Sequence, residues 1–291
     1  MSVVLGIVGR NLRLFFRDRL NVFFSLLSGV ILFLLYTLFL ARLQIDGLSE
    51  SFPQASEAQV LAFIDSWMFS GIVLLTTVTA GMGAMSQLVE DGQSGRFKDF
   101  LVSPILRGQL VLGYLISAVV VAVIMSSVVL VLSVLYLGIF DHAWLPFDRI
   151  LKILLFTVLC CFAFTALSAF VVSFVKTPGA FSAFATVVGT ILGFVAGAYI
   201  PIGSLPVAVG NVINALPFAQ GAMLLRREFT ADTLGTLTDV PQATEAVRGF
   251  YGIDAYVGDA LVTPWVAIGV LLLFAIGFTS LAAGRIRSRI R

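Results

Sequence analysis

Glu90-Asp91-Gly92-Gln93-Ser94-Gly95-Arg96-Phe97-Lys98-Asp99-Phe100-Leu101-Val102-Ser103-Pro104 separates two apolar runs, each long enough to cross a bilayer. Charge is costly at membrane depth, so this stretch lies in water or against another protein. The runs beside it then read as consecutive spans of a multi-pass chain. Gly92 and Gly95 permit a sharp turn out of the first of them. Phe97, Phe100 and Leu101 follow at i, i+3 and i+4, one apolar face, with Arg96, Lys98 and Asp99 around the rest. Pro104 ends that short helix before the next span. Two uses are open: an aromatic knob that docks into a groove on another protein, or an interfacial turn that parks its phenylalanines in lipid.

Composition extends the membrane reading to the whole chain. It is 59% hydrophobic and 12% charged, with mean hydropathy +1.04, against about 45–50% and about 25% in soluble domains. A net charge of +2 offers no field for nucleic acid. Cys160 and Cys161 are adjacent in an apolar run and read as small packing residues, not a disulfide framework. His142 has no second histidine, so no metal site is expected.

Apolar runs predict six spans, at residues 22–41, 63–85, 109–137, 153–175, 181–200 and 265–283. The first lacks a small-residue cleavage pattern and is expected to stay as a span, not leave as a signal peptide. Residues 181–225 are apolar throughout yet carry Pro201, Pro206 and Pro217, too long for one span and broken for two. Charge decides the count. With six spans, twelve of the eighteen basic residues and only four of the sixteen acids fall on the side of the termini, which is then cytoplasmic. A seventh span would put the Arg285–Arg291 tail outside. Residues 201–225 are therefore expected to fold back at the outer face, where irregular backbone needs protein cover or a cavity. Residues 226–263 should form a small ordered outer cap. The fold class is an all-α polytopic membrane domain covering residues 1–291. Its first 21 residues read as an interfacial amphipathic helix, with Leu5, Val8, Leu12, Phe15 and Phe16 opposite Arg10, Arg13, Arg17 and Arg19.

The spans hold almost nothing that could bind a driving ion. Asp65 and Lys152 sit at or beyond span ends, within reach of the interface, which disfavours a proton- or sodium-coupled carrier. No G-x-x-x-x-G-K-[ST] loop or H-E-x-x-H motif occurs, so neither a resident ATPase nor a metalloprotease is encoded. Energy for uphill movement must arrive through a surface.

The run from Glu90 to Arg107, continuing to Leu112-Gly113, resembles the loop of type-2 ABC exporter membrane subunits: an acid, a glycine, a short amphipathic helix, then "SP", an arginine and "LG". Gly197-Ala198-Tyr199-Ile200-Pro201 through Pro206, followed by Asn214-Ala215-Leu216-Pro217-Phe218, is similar to that family's break after the fifth span, with Leu216 inserted in its "NP" element. The resemblance covers essentially the whole chain. It implies a permease half in the cytoplasmic membrane of a prokaryote, both termini inside. It also implies a second permease half, identical or not, and two copies of a cytoplasmic ABC ATPase that carries the ATP and Mg; the chain itself binds no cofactor and is not an enzyme. Glu90, Asp91, Gly95, Arg96, Phe97, Lys98, Phe100, Leu101 and Pro104 would form the ATPase-coupling segment. The alternatives are a non-transporting scaffold or sensor docking a cytoplasmic partner, or a polysaccharide/teichoic-acid-type exporter.

In the fifth span Ala185, Gly189, Gly193 and Gly197 recur every fourth position, a ridge suited to close helix approach, either between two halves or within one subunit. Thr76, Thr77 and Thr79, with Thr186 and Thr190, either line a hydroxyl-bearing path or satisfy helix carbonyls. A path without fixed charge suits amphipathic or hydrophobic cargo, such as a drug, peptide antibiotic or lipid-linked compound, better than highly anionic polymers.

Overall fold

A computed structural model describes residues 2–97, 102 and 105–289. The helices are α1 (Ser2–Arg17), α2 (Arg19–Ser51), α3 (Glu57–Gln93), α4 (Arg107–Ile139), α5 (Phe147–Val172), α6 (Pro178–Val195), α7 (Val207–Ala215), α8 (Pro217–Phe229), α9 (Ala231–Leu237), α10 (Pro241–Phe250) and α11 (Pro264–Arg289). Six of the described helices, α2 to α6 and α11, are long and apolar enough to cross a membrane. The chain is an all-α polytopic membrane protein.

The core is built around α3. Its most apolar window is 94% buried within the protein, against 22% for α2, 44% for α4 and α5, 17% for α11 and 11% for α6. Ser56 starts α3 with a capping box, its Oγ accepting from the Gln59 N–H at 3.3 Å while Gln59 Oε1 accepts from the Ser56 N–H at 2.8 Å. α2, α4, α5 and α6 pack around α3, α11 packs against α5, and all turn their remaining faces outward. A π-helical turn at Tyr36–Leu40 lies inside α2. It seats the buried Tyr36 ring edge-on to Trp67, 5.6 Å between centroids, with its hydroxyl donating to the Tyr199 carbonyl at 3.1 Å.

At one end of the bundle, the basic end, Ile7 of α1 packs with the final turns of α3, α5 and α11 and the first turns of α4. At the opposite end, prolines punctuate the chain after α6. Pro201 opens a 3-10 turn at Ile202–Ser204, Pro206 precedes α7, and Pro217 is the first residue of α8. The α7 and α8 axes differ by 87°. Beyond them α9, α10 and a hairpin of β1 (Ala255–Val257) and β2 (Ala260–Val262) form a cap. The hairpin is a small departure from an all-helical fold.

The interior face of α1 differs from the sequence expectation. Ile7, Val8, Asn11 and Phe15 are buried, whereas Leu5 and Phe16 point outward. Hydrophobicity does not distinguish a side chain facing protein from one facing lipid. Asp65 is 6% exposed, enclosed by protein, and rests against Asp141 of the α4–α5 connection. Burial pushes the Asp141 carboxyl above the ordinary carboxylate range.

Candidate functional site

Asp91, in the last turn of α3, has a fully buried side chain. Two nitrogens of Arg10 donate to it, Nη1 to Oδ2 at 2.6 Å and Nη2 to Oδ1 at 2.9 Å. Arg96 Nη1 donates to Oδ1 at 3.1 Å, Gln87 Nε2 donates to Oδ1 at 3.0 Å, and the Tyr114 hydroxyl donates to Oδ2. One carboxylate thus joins α1, the end of α3, the segment that follows it and the start of α4. A buried acid this well supplied with donors keeps its charge, and a bidentate arginine fixes its orientation. The bond to Asp91 holds the Arg10 guanidinium above its ordinary range and outweighs the burial that pulls it down. Next to this pair, Asn11 Nδ2 donates to the Ser117 hydroxyl at 3.2 Å, a second polar tie from α1 to α4.

Of the segment after α3, Gly92 lies within the helix and Gly95 takes the turn, with φ +77°. Phe97 is half-buried and meets the Tyr114 ring edge-on at 6.3 Å. Lys98, Phe100, Leu101 and Pro104 lie outside the described residues, as do Asp99 and Ser103. The structure therefore brings together Asp91, Arg96 and Phe97 at the α4 root, with Glu90 beside them on the exposed side of α3.

A cavity of about 610 Å³ lies between α2, α3 and α6. Ser25, Ser28, Thr79, Ser182, Thr186 and Thr190 put hydroxyls on its wall, among apolar residues such as Phe24, Ile31, Met82 and Phe181. Thr79, Ala185 and Gly189 line it; Thr76 and Thr77 do not, being fully buried with hydroxyls donating to the Ile72 and Leu74 carbonyls at 2.8 and 2.6 Å. Thr79 reaches across, donating to the Ser25 carbonyl of α2 at 2.9 Å. The ridge of small residues divides in the same way. Gly189 has open space where a methyl would go, whereas one on Gly193 would overlap the Tyr199 ring of its own chain. Gly197, with φ +61°, turns the chain out of α6 beside Ile202.

A second buried junction, missed in the sequence, closes the opposite end. Arg226 of α8 has no exposure, and its Nη2 donates to the Ala196 and Gly197 carbonyls at 2.7 Å each. Its guanidinium lies 5.4 Å from the centroid of the Trp67 ring, and Trp67 Nε1 donates to the Tyr251 carbonyl of the cap at 2.8 Å. Spacing held a signal for it: Ala219, Ala222, Met223, Arg226 and Phe229 share the buried face of α8.

The membrane-domain profile described as ABC-2 type transporter matches residues 3–228, which contain α1, the Asp91 junction, the cavity and the bent α7–α8 pair. The chain belongs to the ABC-2 type transporter family. It is a permease subunit of that family, a membrane component of an ABC transporter, and its family generally works with a cytoplasmic ABC ATPase. Comparison with curated proteins gives no match. The ABC-2 profile stops at Glu228, so most of the cap lies beyond it.

Proposed function

We propose that this permease is one membrane half of an ATP-driven exporter in the cytoplasmic membrane of a prokaryote. It pairs with a second half and takes work from two copies of a separate cytoplasmic ATPase, on which ATP and Mg are held. The basic end of the bundle faces the cytoplasm in this reading, in keeping with the charge bias of the sequence.

The observation that carries the proposal is the Asp91 junction. A push on the segment after Gly95 reaches α1 through Arg10, α3 through the helix backbone and α4 through Tyr114, without passing through lipid. Phe97, Phe100 and Leu101 would form the contact with the ATPase. Support for a second half comes from α6. It is the least buried of the six spans at 11%, yet its mean hydropathy of 1.6 is the lowest of them. A helix that gave most of its circumference to lipid would be expected to be the most apolar. A partner half over this face would also close the α2–α3–α6 cavity into a chamber for amphipathic or hydrophobic cargo.

Reconstitution with the cognate ATPase in vesicles tests the coupling. Asp91→Asn keeps the shape and an acceptor for Tyr114 but removes the charge that orders Arg10 and Arg96. It should cut permease-stimulated ATP hydrolysis by about tenfold or more, roughly 1.4 kcal/mol of coupling, and Phe97→Ala should act in the same direction. Unchanged hydrolysis and transport in both variants would remove the coupling role. Failure of the chain to copurify with any ATPase would favour a scaffold.

A further inference from the structure

We propose that the cavity between α2, α3 and α6 selects an amphipathic cation, with Glu90 and Asp18 reading the positive charge at its basic-end mouth. This rests on the exporter reading and narrows its cargo class. The cavity's residues run from Asp18 to Ile31 along α2, a length of about 20 Å. Its volume of about 610 Å³ is in the range of a drug-sized molecule.

Its wall is hydroxyl and apolar along the length, and the side chains lining it that carry charge at neutral pH are, among the described residues, two acids, Asp18 and Glu90. No lysine, arginine or histidine among the described residues lines it. Asp18 caps α2 through one oxygen, Oδ1 accepting from the Leu20 and Asn21 N–H groups at 3.1 and 3.2 Å, so its Oδ2 is not used by the cap. Glu90 makes no hydrogen bond or ion pair through its carboxylate among the described residues. Arg96 lies within its field but directs Nη1 to Asp91 at 3.1 Å. A smaller cavity of about 270 Å³ adjoins the mouth, sharing Asp18, Asn21, Ser86 and Glu90 and adding Arg17 and Arg96. At the mouth, therefore, the acids Asp18 and Glu90 border both cavities, whereas Arg17 and Arg96 border only the smaller one. A ligand with a positive head and an apolar body can pair the head with Glu90 and Asp18 while its body lies against Phe24, Ile31, Met82 and Phe181. An anion of the same shape would have to sit beside two carboxylates with no cation on the wall of the larger cavity.

Three probes separate charge from fit: tetraphenylphosphonium and tetraphenylborate, ions of nearly one shape, and the smaller neutral triphenylphosphine oxide. Each is measured by equilibrium dialysis against the permease–ATPase complex, with the micelle blank subtracted. Glu90→Gln should weaken tetraphenylphosphonium about five- to tenfold, leave the neutral probe within about twofold and leave or strengthen tetraphenylborate. Asp18→Asn keeps a good N-cap and should shift the probes in the same order, guarding against loss of fold in the first variant. Gly189→Leu, placed in the open part of the wall, should weaken all three alike. Equal shifts of all probes in both acid variants, no shift in either, or a Gly189→Leu variant that binds normally would overturn the proposal. The exporter reading fails separately. If the charge-dependent binding appears but tetraphenylphosphonium neither stimulates hydrolysis nor moves in vesicles, the cation site stands and export falls. If ATP drives neutral or anionic compounds while the acid variants leave tetraphenylphosphonium binding unchanged, export stands and charge selection falls.

Discussion

Arg226 shows how a buried cation is held without a carboxylate. The carbonyls at the end of α6 carry the partial negative charge of a helix C-terminus, and Arg226 meets two of them with one nitrogen. Arg226→Met would fill much of the same volume but leave the Ala196 and Gly197 carbonyls buried without that donor. The expected cost is about 2–4 kcal/mol, read as a lower thermal midpoint of the purified protein. Arg226→Lys should recover only part of it, because a single ammonium lacks the planar fork that also lies over Trp67. A rise in midpoint for Arg226→Met would show that the carbonyls find other donors. Asp91 and Arg226 were legible to different degrees. Asp91 stands in a charged run and was read as a coupling residue from its place in a motif. Arg226, next to Arg227, reads as the start of the outer cap, because nothing in the composition of Leu224-Leu225-Arg226-Arg227 says which arginine turns inward. The neighbour, Arg227, faces the cap and pairs with Asp254 at 3.4 Å.

α6 is where the element as a unit matters more than its residues. One repeated spacing, Ala185, Gly189, Gly193 and Gly197, serves three purposes: Ala185 and Gly189 shape the cavity, Gly193 admits Tyr199, and Gly197 ends the helix path. Gly193→Ala should cost about 1–3 kcal/mol by forcing the Tyr199 ring aside, and adding Tyr199→Leu should recover at least half of it. Thermal unfolding of the two variants against the parent protein measures this. Loss of association between halves at an unchanged midpoint would assign Gly193 to the face between subunits instead. Four-residue spacing tells that a helix face is small. It does not tell what approaches that face, because the helix period is blind to its neighbours.

Across the whole molecule, the two ends of the bundle differ in chemistry, and the orientation assigned to them can be checked directly. The native Cys160 and Cys161 are fully buried, so they should stay unreactive as a background. In intact cells, a membrane-impermeant maleimide should label Asp259→Cys, exposed in the β1–β2 turn, and spare Ser94→Cys, exposed at the basic end, until the cells are opened. The reverse pattern would put the Asp91 junction outside and detach it from any cytoplasmic ATPase.

Hydropathy and charge bias by themselves determined that this is a six-span membrane protein with a polar loop after the second span and a proline-broken segment after the fifth. Those properties are sums over local composition, and solvent preference acts on each span separately. Only the tertiary structure decided which span is central. α3 is nearly enclosed although its mean hydropathy, 1.7, is below the 2.4 of α2, α5 and α11 and the 2.9 of α4. Lipid and protein interior are equally apolar, so the transfer energy that selects a span does not rank one span's depth within the bundle. That ranking comes from shape and from a few long-range polar contacts. Arg10 to Asp91 and Arg226 to the end of α6 join residues 81 and 30 or fewer positions apart, and such pairings exist only once the helices have packed.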